Sequence, residues 1–143
     1  MIPIRMCDAV QIKDLIESEA LKVNPSKGYI AANTKSEKIL EELSSNSDNI
    51  VRSNVAWNLN CSAKTLEKLS NDSDFNVRYW VVCNRNCSAK TLEKLSNDSY
   101  WNVRYNVARN PNCPIEILEK LSKDMDYFVQ SYANQRLNQI RSA

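Results

Sequence analysis

Three arginines recur at a fixed interval and are the residues best suited to bind a charged partner. Arg52, Arg78 and Arg104 lie 26 residues apart, and Gln130 holds the fourth position of the series. A row of guanidinium groups could follow the phosphates of a nucleic acid or the carboxylates of an acidic peptide. The row could also form ion pairs with acidic residues of adjacent repeats, such as Asp72. The formal net charge of +2 favours these ion pairs.

Aromatic residues near these arginines form a second candidate binding group. Trp, Tyr and Arg are the residue types that most often anchor protein interfaces. Phe75, Trp101 and Tyr127 share one position of the repeat and are interpreted as packing between repeats. The predicted binding residues are Arg52, Trp57, Arg78, Tyr79, Trp80, Arg104, Tyr105 and Arg109.

The remaining reactive groups predict neither catalysis nor a cofactor. Cys61, Cys87 and Cys113 share one repeat position and could form a thiol ladder or a soft-metal site. Stacked repeats lie roughly 10 Å apart, beyond the ~7 Å limit for a disulfide, so small buried thiols are favoured. The sequence has no histidine and one glycine, and its acidic residues recur instead of converging. We therefore expect no enzymatic activity, no metal and no cofactor.

An internal repeat must position all of these residues. The segment 62–73 recurs unchanged at 88–99, which sets a period of 26 residues. Four units follow: 36–61, 62–87, 88–113 and 114–139. The positions in register are Leu40, Leu66, Leu92 and Leu118; Leu43, Leu69, Leu95 and Leu121; Val51, Val77, Val103 and Val129; and Val55, Val81, Val107 and Ala133.

Each unit is predicted to contain two short helices. Ser62 starts the first helix as its N-cap, and Pro114 takes that position in the last unit. The second helix runs from about Phe75 to Cys83, with an asparagine such as Asn84 ending it in the left-handed conformation. Because 26 residues are few for two helices, one of them is expected to be a single turn or 3₁₀-like. Such short helices must pack on neighbouring units, which predicts an all-α solenoid.

The motif of these units resembles the leucine-rich repeat variant family. Its clearest form is Val-Arg-x-x-Val-Ala-x-Asn-Pro-Asn-Cys-Pro at 103–114. The resemblance covers roughly residues 30–139. It implies alternating α and 3₁₀ helices wound into a right-handed superhelix, similar to HEAT-type solenoids. Leu59 and Arg85 replace the proline of the motif in two units, and the period is slightly longer than is usual in the family.

The ends of the chain are assigned separately. Residues 1–35 are a lead-in with an N-terminal cap helix at 8–23, and 140–143 are a C-terminal tail. The N-terminal residues lack a signal-peptide pattern, and no apolar stretch is long enough to span a membrane. Five cysteines, an odd number, are typical of reduced thiols. We therefore expect a cytoplasmic protein with no membrane partner.

The favoured function is non-enzymatic binding of a protein or peptide through the second-helix face, expected to be concave. The alternative is a nucleic-acid-binding, HEAT-like solenoid in which the arginines contact phosphate and Trp80 or Tyr105 stacks on bases. A small-molecule ligand is not expected. The partner's identity and the oligomeric state stay open.

Overall fold

A computed structural model describes residues 25–143, and this part of the chain is helical without any β-strand. The predicted cap helix at 8–23 lies outside the described residues. After α1, seven-residue helices alternate with longer ones, as the repeat predicts. The helices are α1 (Lys27–Asn33), α2 (Glu37–Leu43), α3 (Asn49–Trp57), α4 (Ala63–Leu69), α5 (Phe75–Cys83), α6 (Ala89–Leu95), α7 (Trp101–Arg109), α8 (Ile115–Leu121) and α9 (Tyr127–Arg141).

The first helix of each unit is α-helical, so the prediction of a 3₁₀ helix is wrong. In α4, the N–H of Leu66 donates to the carbonyl of Ser62, and Ser70 N–H donates to Leu66, which is the spacing of an α-helix. The side chain of Ser62 accepts a hydrogen bond from Thr65 N–H, as an N-cap does. This cap stabilises the first turn of a helix with only two turns. Pro114 starts α8 without a side-chain cap, as expected.

The core consists of the leucine and valine positions that recur in register. Leu66 and Val77 are fully buried, and the corresponding side chains of the other units are buried or nearly so. The second helices α3, α5, α7 and α9 pack against one another in chain order, and each also contacts the first helices beside it. Packing between neighbouring helices therefore supplies the burial that one short unit lacks.

The asparagines that follow the second helices do not adopt the left-handed conformation. Asn58, Asn84 and Asn110 have φ between −64° and −79° and are extended, so that prediction is wrong. They are instead buried and bridge successive units. Asn84 Nδ2 donates to the carbonyls of Ala56 and Asn58, at 2.8 and 2.9 Å. Asn110 makes the equivalent pair of bonds to Val82 and Asn84, and Asn58 bonds in the same way to the carbonyls of Ala31 and Thr34, at the end of α1 before the first unit.

These asparagine bonds satisfy carbonyls that the end of the preceding helix leaves open, which explains how the helices end without glycine. The Oδ1 of Asn84 also accepts from Asn86 N–H and holds the following turn. In the last unit Arg136 occupies this repeat position, and its Nη1 donates to the carbonyls of Ala108 and Asn110. The chain therefore stays helical to Arg141, past the tail boundary assigned at residue 140.

Asn84→Asp tests this bridge with a nearly isosteric change. A carboxylate cannot donate to the carbonyls of Ala56 and Asn58, so buried acceptors would face each other. We expect the free energy of unfolding to fall by about 3 kcal/mol or more, measured by urea denaturation at pH 7. The matched control is Asn138→Asp, at an exposed position of α9 whose side chain makes no hydrogen bond with a described residue, and it should change the free energy of unfolding by under about 1 kcal/mol. Equal effects of the two variants would contradict this role for Asn84.

Candidate functional site

The arginine row is a ladder of ion pairs between repeats and does not form a free basic stripe. Arg78 Nε lies 2.6 Å from Asp98 Oδ2, and its Nη2 lies 3.1 Å from Asp98 Oδ1. Its Nη1 donates to the carbonyls of Asp72 and Ser73 in its own unit. Arg52 and Arg104 make the same two-point contacts with Asp72 and Asp124. Of the two interpretations of the row, the ion pairs are therefore the one observed.

These ion pairs are largely buried, so their charges stay within the scaffold. The side chains of Arg104 and Asp124 are 11% and 9% exposed. The hydrogen bond from Arg104 is the main cause that lowers the pKa of Asp124, against the opposing effect of burial. Each arginine thus joins its own loop to the next unit. The binding role predicted for Arg52, Arg78 and Arg104 stays a prediction, and their engagement in these ion pairs counts against it.

The aromatic residues beside the ladder do form a cleft. It has a volume of about 460 Å³ and lies on three successive second helices, α5, α7 and α9. Three of the predicted residues line it, namely Tyr79, Tyr105 and Arg109. The Arg109 guanidinium lies 5.8 Å from the centre of the Tyr105 ring. The other lining residues are Trp101, Asn102, Asn106 and Phe128.

Helical spacing explains why these side chains meet. Trp101, Tyr105 and Arg109 are four residues apart and follow one side of α7, away from the buried Val103 and Val107. The Trp101 ring lies 6.2 Å from Tyr105, centre to centre. Phe128 closes the cleft from α9, with its ring 5.8 Å from Trp101. The cleft is thus assembled from residues that the sequence separates by a full repeat.

One repeat position explains why the cleft opens at α7. Tyr105 packs edge-on against Tyr132 of the next unit, with ring centres 5.2 Å apart. The equivalent neighbour of Tyr79 is Asn106, because unit 88–113 has asparagine where unit 62–87 has Trp80. A small amide in place of an indole leaves Tyr79 and Asn106 as walls of an open space. The difference between two nearly identical units therefore creates the cleft.

Trp57 and Trp80 lie in a separate and smaller depression. They line a notch of about 110 Å³ with Leu59 and Cys83. The Tyr79 and Trp80 rings meet edge-on at 5.1 Å, which connects the notch to the cleft. The eight predicted residues are therefore divided between the ion-pair ladder, the notch and the cleft.

Four cleft residues were not among the predicted binding residues, namely the amides Asn102 and Asn106 and the aromatic residues Trp101 and Phe128. Trp101 was assigned to packing between repeats, and its ring does contact Phe128 of the next unit, yet the side chain is 47% exposed because it faces away from Val103, two residues on. At the same repeat position, Phe75 stacks on Tyr100 of the next unit with ring centres 4.5 Å apart, as assigned, whereas Tyr127 of the last unit is 72% exposed. Phe128 occupies a repeat position held by Ile50 and by two asparagines elsewhere. The four-residue spacing of Trp101, Tyr105 and Arg109 is the signal that could have identified the cleft.

The recurring cysteines are buried thiols, as favoured from their spacing. Cys61, Cys87 and Cys113 are free and buried. Burial raises the pKa of Cys61 and Cys87 to about 12 and that of Cys113 to about 11. Among residues 25–143 no group of three or more Cys, Asp or Glu side chains could hold a metal ion. The buried thiols therefore act as small core residues.

The comparisons with known proteins do not identify the chain. Neither the protein-family models, nor the curated proteins, nor the solved structures contain a match. The resemblance to the leucine-rich repeat variant therefore stays a prediction from the motif. In the described part of the chain, no helix combines the length and the apolar character needed to cross a bilayer.

The ladder predicts a specific dependence of stability on pH. The pKa of Asp124 is lowered on folding, so its contribution is complete above its unfolded pKa, near 4, and is lost as the pH falls through the folded value. We expect Asp124→Asn to destabilise the protein by about 1–3 kcal/mol at pH 7. The difference from wild type should begin to shrink below about pH 5 and should keep shrinking as the pH falls, in a series of urea unfolding experiments.

The control for this series is Glu116→Gln, an exposed carboxyl that makes no ion pair among the described residues. Its stability difference from wild type should stay small throughout. A deficit of Asp124→Asn that did not change with pH would contradict the ion-pair account.

Proposed function

We propose that this protein is a non-enzymatic repeat scaffold that binds a segment of another protein through its second-helix face. The observation that carries the proposal is the aromatic cleft on α5, α7 and α9. Trp101 and Phe128 are 47% and 60% exposed there, beside the half-buried Tyr79 and Tyr105. Exposed aromatic side chains grouped around a cleft are typical of protein interaction sites.

The properties of the cleft favour one anchoring side chain. Its volume of about 460 Å³ is ample for a large apolar side chain and its neighbouring main chain. The hydroxyl of Tyr79 is neutral at pH 7 and able to donate a hydrogen bond, and burial, together with the nearby Cys83 thiol, raises its pKa further. The walls therefore combine apolar area with polar groups that can orient a peptide.

Nucleic-acid binding receives less support. Three of the four arginines expected to contact phosphate, Arg52, Arg78 and Arg104, are neutralised by aspartates, and only Arg109 makes no ion pair with a described residue. The aromatic side chains gather at one cleft and do not repeat as a series of stacking platforms, since Ser53 and Ser131 hold the tyrosine position in the outer units. A nucleic-acid strand following the array would thus find few phosphate contacts and one stacking site.

The finer architecture is part of the proposal. The four units would form a right-handed superhelix of the leucine-rich repeat variant type. Its second helices pack closely on one another, which supports placing them on the concave side. A concave second-helix layer would put the cleft near the middle of the binding surface.

Selection from a library of random linear peptides tests this function. We expect enriched peptides to bind wild type with micromolar dissociation constants and to lose at least about tenfold in affinity on Trp101→Ala, because an anchoring contact is removed. Ile50→Ala removes an apolar side chain that is 64% exposed but lies outside the cleft, so it is the matched control. The measurement is fluorescence anisotropy with labelled peptides.

The same assay includes single-stranded and duplex oligonucleotides at about 50 and 200 mM salt. Tight oligonucleotide binding that weakens steeply with salt, without any selected peptide, would contradict the proposal. It would establish the nucleic-acid alternative.

A further inference from the structure

We propose that the cleft recognises an extended acidic segment of a partner protein, with one bulky apolar side chain in the cleft and carboxylates at the adjacent arginine edge. This inference rests on the proposed function and names the chemistry of its ligand. It depends on three features of the described residues: the distribution of acidic groups, the unpaired arginines, and two amides that line the cleft.

Acidic residues are absent from the surface that carries the cleft. Within residues 25–143, every glutamate lies on the first helices α2, α4, α6 and α8, and every aspartate lies in a loop or at a helix N-cap. The second helices therefore contain arginines, aromatic residues and amides but no carboxylate. A ligand with carboxylates would meet no like charge on this face.

The unit around the cleft differs from its neighbour in a direction that favours an anion. Tyr100 replaces the N-cap aspartate found at Asp74, and Arg109 replaces Cys83. Each change raises the formal charge by one. Tyr100 makes no side-chain cap bond, so the exchange gives up a helix-capping interaction there. Pro111 replaces Arg85 and lowers the charge by one, so the unit that opens the cleft is more positive than its neighbour by one charge in total.

Arg109 lines the cleft, and two further arginines follow the same end of the neighbouring second helices, where carboxylates would bind. Arg85 follows α5, and Arg109 is the last residue of α7. Arg136 lies within α9, at the repeat position that Asn110 holds after α7. None of the three makes an ion pair with another described residue, unlike the arginines of the ladder. Arg136 is held by main-chain carbonyls, which leaves its charge uncompensated. A bidentate carboxylate contact is the pairing that such guanidinium groups favour.

The cleft amides favour a main chain in extended form. Asn106 Nδ2 donates to the carbonyl of Asn102, and its Oδ1 accepts no hydrogen bond from another described residue. Asn102 Oδ1 accepts from Val103 N–H, and its Nδ2 has no acceptor among the described residues. One free acceptor and one free donor match the N–H and C=O of a peptide unit. In a helical ligand the main-chain N–H and C=O groups are hydrogen-bonded to each other, whereas in an extended segment they are free to bond to the cleft.

Charge also decides against a second copy of this chain as the occupant. Two second-helix faces brought together would oppose surfaces that both lack carboxylates and both carry unpaired arginines. Like charges across an interface are costly. The charge complement is an acidic segment.

The test uses fluorescein-labelled peptides of about twelve residues with the full chain in anisotropy titrations. The first peptide carries one phenylalanine among glutamates and serines. Three partners replace its glutamates by glutamine, its glutamates by lysine, or its phenylalanine by serine. We expect the acidic peptide with phenylalanine to bind at least about tenfold more tightly than each of the three.

Variants of the protein assign this preference to the cleft. Arg109→Gln, which copies Gln135 at the same repeat position, should weaken the acidic peptide about tenfold and leave the glutamine peptide unchanged. Lys123→Gln removes the same charge from an exposed loop residue and is the matched control. Asn106→Trp, which copies Trp80, should fill the cleft and abolish binding. Urea denaturation confirms that each variant is folded.

Each other outcome overturns a stated part of the account. Equal binding of the acidic and glutamine peptides, or an Arg109→Gln effect no larger than that of Lys123→Gln, overturns the acidic ligand while peptide binding stands. Undiminished binding by folded Asn106→Trp overturns the cleft as the site. Self-association in sedimentation velocity that Asn106→Trp abolishes assigns the cleft to a second copy. Oligonucleotide binding without peptide binding overturns this inference and the proposed function together.

Discussion

The array depends on the hydrogen bonds that a buried asparagine at the end of each second helix makes to the end of the preceding second helix. A helix of seven or nine residues cannot persist alone, so each unit has to be completed by its neighbours. Apolar packing buries surface but does not fix how neighbouring units are oriented. Asn84, in contrast, donates hydrogen bonds to two defined carbonyls of the previous unit. That bond sets the spacing of the units and satisfies helix ends that would otherwise be buried with open acceptors. The Arg–Asp ladder repeats the same principle at the opposite end of the second helices, where Arg78 joins its own loop to Asp98.

The contacts that hold the units together lie in the loops and at the helix ends. The solvent-exposed side of the second helices is therefore free to vary in sequence. Units 62–87 and 88–113 share an identical first helix and differ mainly on the second. The differences coincide with the cleft, where Asn106 and Arg109 stand in place of Trp80 and Cys83. The contacts that recur in every unit therefore build the array. A few positions that differ between units give the cleft its distinct chemistry.

The sequence predicted the boundaries of repeat helices such as α4 and α5, the serine caps and the leucine and valine core, because these follow from periodicity and local chemistry. It did not predict α1 or the continuation of α9 to Arg141, which lie outside the regular repeat. It did not predict the role of Asn84. An asparagine after a helix can be a left-handed cap or a bridge to another unit, and only its hydrogen-bond partners in the folded structure distinguish these roles. The arginine row was ambiguous for the same reason, because its partners lie twenty residues away in the next unit. Phe128 could not be found from repeat positions, because it joins the cleft across a repeat boundary.

The central claim is that the departures of unit 88–113 from its neighbour create the binding site. The most direct measurement is a peptide titration of a chain in which 88–113 is replaced by the sequence of 62–87. This exchange keeps every asparagine bridge and every ladder pair while restoring tryptophan and cysteine at the cleft. The account predicts a folded protein of similar unfolding free energy that no longer binds peptides selected on the natural chain. Retained binding by the folded exchange chain would contradict it.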